Sequence, residues 1–147
     1  MIQRIQTVYL LLAGLITASL FFFDFAQLAV DSNLYVLNAH GILDGEDVII
    51  SGIPIQFFIA LVSIMHVVII FMYKKRIRQI RMTVFTIILL FGLMAFLFYF
   101  IYGSFENVSA VFEIPMSFPL IAIILDYLAI RGIGKDEALI RSMNRIR

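Results

Sequence analysis

Two ionisable side chains stand inside otherwise apolar stretches of this sequence, His66 in IALVSIMHVVII and Asp126 in PLIAIILDYLAI. An imidazole and a carboxyl group in such surroundings can exchange a proton, carry a cation or satisfy a fixed partner. Burying either charge at the centre of a helix in lipid costs ~2.5–3.5 kcal/mol, so each needs something to bind. Asp126 precedes Arg131 by five residues, ~7.5 Å along a helix. Its expected role is a structural ion pair with Arg4, Arg78 or Arg81, Arg4 being the first choice; the alternative is a proton- or cation-carrying site. His66 precedes Lys74 by eight residues, ~12 Å along a helix. It is expected to satisfy its nitrogens with hydroxyls or a carboxylate, since Ser63 and Tyr73 share its face. A His66–Asp126 proton relay is the less favoured reading, and haem ligation less still, because His40 falls outside the apolar stretches.

Other reactive sets are missing from the sequence. It contains no HExxH, no phosphate-binding glycine loop, no serine–histidine–acid set and no paired carboxylates on one helix face. The absence of cysteine excludes disulfide scaffolds, thiolate zinc sites, thiol redox chemistry and c-type haem attachment. Asp44, Glu46, Asp47 and His40 have no metal-loop spacing such as that of an EF-hand, and read as a solvated face. No catalytic residue, cofactor or metal is expected.

The elements that position His66 and Asp126 follow from composition. Hydrophobic residues make up 63% of 147, about 93 in all, and four membrane-spanning helices of ~20 residues need about 80. Four apolar stretches supply them: Thr7–Phe23, Pro54–Tyr73, Met82–Tyr102 and Pro115–Ile130. A soluble domain is excluded. The fold class expected is an all-α integral membrane protein, a single four-helix bundle over 1–147, with 131–147 as a basic amphipathic tail. The first stretch is 17 residues long, beyond the ~7–15 of a signal-peptide core, and is expected to remain as an anchor.

Charge sets the orientation. All 11 Lys and Arg lie at Arg4, in the run Lys74–Arg81 or in the tail after Ile130, while the connections 24–53 and 103–114 hold none. Basic residues near span ends stay on the cytoplasmic side, so both termini are expected there and the acidic connections outside. Within the first connection, NLYVLN (33–38) and VIIS (48–51) are strand-like around the turn signals of HGILDGED. They predict a short extracytoplasmic β-hairpin, Tyr35–Leu37 paired with Val48–Ile50, to which Val108–Phe112 can add a strand.

Helices in lipid associate through small and polar residues. The stripes expected to face inward are Thr7, Gly14, Thr17 and Ala18; Gln56, Ala60, Ser63 and His66 or Val67; Gly92, Ala95, Tyr99 and Tyr102; and Pro119, Ala122, Asp126 and Ala129. In the tail, Ile133, Leu139, Ile140, Met143 and Ile146 gather largely on one side of a helix. That describes an interfacial helix or a docking surface. Lys135, Asp136, Glu137, Arg141 and Arg145 are the candidate partner-docking residues. The basic loop and tail suit anionic lipid headgroups, and no nucleic acid is needed to explain them.

The opening MIQRIQTVYLLLA (1–13) and the ending RGIGKDEALIRSMNRIR (131–147) resemble a family of small four-span membrane proteins of Bacteroidota, catalogued as a domain of unknown function. The tail residues Lys135, Asp136, Glu137, Leu139, Arg141, Ser142, Arg145 and Arg147 carry the most specific part of that resemblance. It implies a bacterial inner-membrane protein and no established activity. The function expected is a non-catalytic accessory or assembly subunit of a larger inner-membrane complex. The alternative is a small homo-oligomeric transporter or channel using Asp126.

Overall fold

The computed structural model describes residues 3–30, 33–105 and 107–144; the side chains at 3, 4, 141, 143 and 144 are outside that description. Four helices form, α1 (Gln3–Ser19), α2 (Ile53–Phe71), α3 (Arg76–Ser104) and α4 (Phe118–Asn144). Each contains a window long and apolar enough to cross a membrane. α1 packs on α2 and α4, and α3 packs on the same two helices. The bundle is therefore a square in which α2 and α4 face each other across a diagonal.

The helices do not share one length. α2 has 19 residues, about 28 Å, whereas α3 has 29, about 43 Å. A hydrocarbon core of ~30 Å accommodates the first and leaves the second projecting. The projecting part of α3 is its basic first turns, Arg76–Arg81, which hydropathy alone assigns to the connection between the second and third apolar stretches. α4 continues without a break from Phe118 to Asn144, so the fourth apolar stretch and the amphipathic tail that follows Ile130 form one helix. Gly132 lets α4 lie close against α1, since a Cβ there would stand 2.8 Å from Gln6 Cγ.

Opposite the basic ends lies a five-stranded antiparallel sheet in the order β4-β3-β2-β1-β5. Its strands are β1 (Asp24–Val30), β2 (Asn33–Asn38), β3 (Gly41–Asp44), β4 (Asp47–Ser51) and β5 (Ser109–Phe112). The expected hairpin is corrected here, because Tyr35–Leu37 does not pair with Val48–Ile50. β2 pairs with β3, and β3 with β4. The segment read as one turn holds two, separated by the strand GILD. Gly41, at φ 125°, leaves the first, and Gly45, at φ 61°, makes the second. Gly41 also has no room for a side chain, since a Cβ would fall 1.9 Å from Ile50 O. β1 was not expected, because FAQLAV continues the hydropathy of the first span. β5 forms where expected and pairs with β1.

The inner face of the sheet closes the end of the bundle. Phe25, Ala26, Leu28, Leu37, Ala39 and Ile42 join Ile55, Ile59, Leu93, Leu97 and Ile101 in one buried cluster. A shift of register between Asp24 and Ala26 turns the neighbouring Phe25 and Ala26 both inward. Full burial of each large side chain here contributes about 1.5–3 kcal/mol, which is what lets a small sheet persist on helix ends.

Candidate functional site

His66 and Asp126 meet in the middle of the square. His66 Nε2 lies 3.2 Å from Asp126 Oδ2, and both side chains are sealed from solvent. The other imidazole nitrogen, Nδ1, is 2.9 Å from Val62 O. A carbonyl only accepts, so Nδ1 carries hydrogen and donates. That assignment leaves one proton to be shared between Nε2 and Oδ2 if they are to bond. The pair is then either neutral imidazole with carboxylic acid or imidazolium with carboxylate. Asp126 Oδ1 is buried and has no hydrogen-bond partner among the described residues.

Among the described residues, His66 rather than Arg78 or Arg81 pairs with Asp126. Arg78 and Arg81 are exposed, and His66 occupies the position opposite the carboxyl. Depth explains the pairing. His66 is five residues from Phe71, where α2 ends, and Asp126 is five from Arg131. Counted from the true helix end rather than from Lys74, the two stand at one level. Arg4 lies in α1, but its side chain is outside the described residues.

Neighbouring residues hold the imidazole in place. Gly14 of α1 lies so close that a Cβ there would sit 3.0 Å from His66 Cβ. Ser63, expected to bond His66, donates instead to Ile59 O at 2.8 Å. Beside the imidazole, Gly14, Leu15, Ala18, Ser63 and Val67 line a groove of about 400 Å³ between α1 and α2.

A second polar contact lies nearer the basic end. Gln6 Nε2 donates to Asp136 Oδ2 at 2.7 Å, tying α1 to α4. Asp136 therefore faces the bundle, while Lys135 is exposed and Glu137 is half-buried. Arg141, whose side chain is not described, and Arg145 lie outside what the structure reports. Gln79 Nε2 donates to Ile69 O at 3.2 Å, fastening α3 to the last turn of α2. Neither glutamine was anticipated. The signal for Gln79 was its place four residues before Thr83 on the row that continues through Thr86, Leu90 and Leu93, all buried.

The first, second and fourth stripes contribute buried residues, namely Thr17, His66, Ala122, Asp126 and Ala129. The third does not. Ala95, Tyr99 and Tyr102 are exposed, and α3 turns Thr83, Thr86, Leu90, Leu93 and Leu97 inward instead. Thr83 and Thr86 can be buried because each hydroxyl donates to the carbonyl four residues back.

This architecture extends across the whole chain, and so does the comparison with known families. A domain of unknown function, DUF4293, matches residues 2–146. The chain belongs to the DUF4293 family. No curated protein and no solved structure matches it. The DUF4293 chain is thus a membrane protein with four candidate spans, a sheet over one end and a buried His66–Asp126 pair. The polar pair can hold or pass a proton, and it can equally brace α2 against α4.

Proposed function

We propose that this DUF4293 protein is a non-catalytic accessory or assembly subunit of a larger complex in a bacterial inner membrane. Both termini face the cytoplasm, and the sheet stands outside. The eleven-to-zero division of Lys and Arg supports that orientation, as does the position of the basic elbow Lys74–Lys75 and the basic first turns of α3 at the end of the bundle opposite the sheet.

The observation that carries the reading is the outer face of the sheet. Strand register aligns Val111 with Gln27, Gln27 with Val36, Val36 with Leu43 and Leu43 with Val48. Paired residues share a face, so this row crosses all five strands on the side away from the bundle. Val48 and Val111, at its two ends, are 52% and 67% exposed. Four of the five residues in this row are apolar, with Gln27 between Val111 and Val36, and apolar side chains gathered on a water-facing surface mark an interaction surface. Its expected occupant is another protein of the same membrane complex.

Photo-crosslinking checks this directly. A p-benzoylphenylalanine at Val111 or Val48 should give one discrete heavier adduct in native membranes, and the same probe at lipid-facing Phe85 should not. Adducts only of twice the chain mass would favour a homo-oligomer instead.

A second reading has its own support in the unpartnered Oδ1 of Asp126. A homo-oligomeric transporter would use this carboxyl to take up and release a proton. Purified protein in liposomes would then pass protons or a coupled solute, and Asp126→Asn would abolish the flux while the protein still folds.

A further inference from the structure

The elbow between α2 and α3 gathers positive charge around a cavity. Lys74, Lys75, Arg76 and Ile77 line it from the elbow, and Glu137 and Ile140 from α4, as an open recess of about 440 Å³. Three cations thus face one carboxylate across a space large enough for a phosphodiester and part of a glycerol. Arg76 Nη1 is enclosed and has no hydrogen-bond partner among the described residues. A guanidinium donor buried without an acceptor is costly, and an anion is what relieves it. The backbone adds to the imbalance. Arg76 and Arg78 stand in the first turn of α3, where no acidic residue occurs, and Lys75 makes no side-chain cap. Positive side chains at the positive end of a helix oppose its dipole unless an anion lies between them.

The surroundings say where that anion comes from. The elbow follows Phe71, the exposed last residue of a span, and Ile77 and Ile140 give the same cavity an apolar wall. Tyr73 is half-exposed beside it, with Lys74 Nζ 5.9 Å from the ring centroid. An aromatic ring and lysines at a span end mark the headgroup level of a bilayer. We propose that this cavity binds the phosphate of an anionic phospholipid. Arg76 donates to the phosphate oxygens, Lys74 and Lys75 flank it, and Ile77 and Ile140 face the glycerol backbone. The site is independent of the sheet surface and of the His66–Asp126 pair.

The test is native mass spectrometry of the purified full chain, offered phosphatidylglycerol and phosphatidylcholine of the same acyl chains. The expected result is selective retention of phosphatidylglycerol. Each charge near a membrane surface is worth about fivefold in affinity, so Arg76→Gln should reduce retention by at least that factor. Lys74→Gln with Lys75→Gln, both on exposed side chains, should act in the same direction even if the Arg76 variant folds poorly. Arg131→Gln, basic and exposed but outside the cavity, should leave the preference intact. Equal retention of the two lipids would overturn the proposal. So would equal losses in the Arg131 and Arg76 variants, which would indicate diffuse charge rather than a site. Thermal stabilisation by inorganic phosphate equal to that by phosphatidylglycerol would overturn the lipid source and leave a site for free phosphate.

Discussion

His66 Nε2 and Asp126 Oδ2, 3.2 Å apart, join the two helices that face each other across the diagonal of the bundle. α1 and α3 each touch both α2 and α4, so this hydrogen bond spans a diagonal that helix packing leaves little supported. Because His66 Nδ1 is committed to Val62 O, what faces Asp126 is a nitrogen that accepts unless the pair transfers its proton.

That commitment predicts an ordering of variants. Asp126→Asn retains an N–H toward His66 Nε2 and should change stability by less than about 1 kcal/mol. Asp126→Leu removes the donor and leaves a buried nitrogen unsatisfied, at about 1–3 kcal/mol. His66→Leu combined with Asp126→Leu should recover much of the loss, since no polar group is then stranded. Thermal unfolding in detergent measures all three. Equal losses for the Asn and Leu variants would refute the proton assignment.

Gly14 should tolerate little. Valine at that position brings methyl groups into a contact already at 3.0 Å from His66 Cβ, which both forces α1 from α2 and displaces the imidazole. The expected destabilisation is about 1–3 kcal/mol, larger than for Gly134→Val, where a Cβ would meet nothing within 4 Å. Melting temperatures of the two variants decide it, and a Gly14→Val protein as stable as the wild type would contradict the packing.

Gln6 and Asp136 form the second tie between helices, at 2.7 Å. Gln6→Leu should strand the buried carboxyl and cost about 1–3 kcal/mol, while Asp136→Asn keeps an oxygen to accept from Gln6 and should cost less. Limited proteolysis near Arg131–Asn144 offers an independent readout. Cleavage should rise in Gln6→Leu as the end of α4 frees itself from α1.

Much of this arrangement was legible before the structure. The four long apolar helices and the segregation of Lys and Arg follow from hydropathy and charge, because lipid leaves few alternatives to apolar helices. The depth of His66 was less legible. It depends on α2 ending at Phe71 rather than Tyr73 and on α4 running past Arg131, and helix ends are where sequence signals are weakest. The sheet was half visible. NLYVLN and DVIIS announce themselves by β-branched and aromatic residues, whereas GILD is a strand only because a glycine turns the chain at each side of it. The inward face of α3 was misread because small residues were taken as the contact row. Its contacts are instead Leu90, Leu93 and Leu97, large side chains that fill a wider square.

Orientation is open to a chemical probe, since the chain has no cysteine of its own. Single cysteines at Ser51 and Ser109, both exposed on the sheet, should react with a membrane-impermeant maleimide in spheroplasts. A cysteine at exposed Ser142 should react only after lysis. Labelling of Ser142→Cys in intact spheroplasts would reverse the topology.

The central claim, that the outer face of the sheet docks a partner subunit, is tested most directly by the mass and composition of the particle extracted from native membranes. Wild-type protein, taken in mild detergent and measured by size-exclusion chromatography with light scattering, should leave as a hetero-complex of fixed stoichiometry. Val48→Glu with Val111→Glu places charge at both exposed ends of the apolar row without touching the bundle. That double variant should leave alone, at the mass of the free chain and with an unchanged melting temperature. Wild-type protein eluting as a pure monomer or homo-oligomer, or a double variant that stays in the complex, would contradict the account.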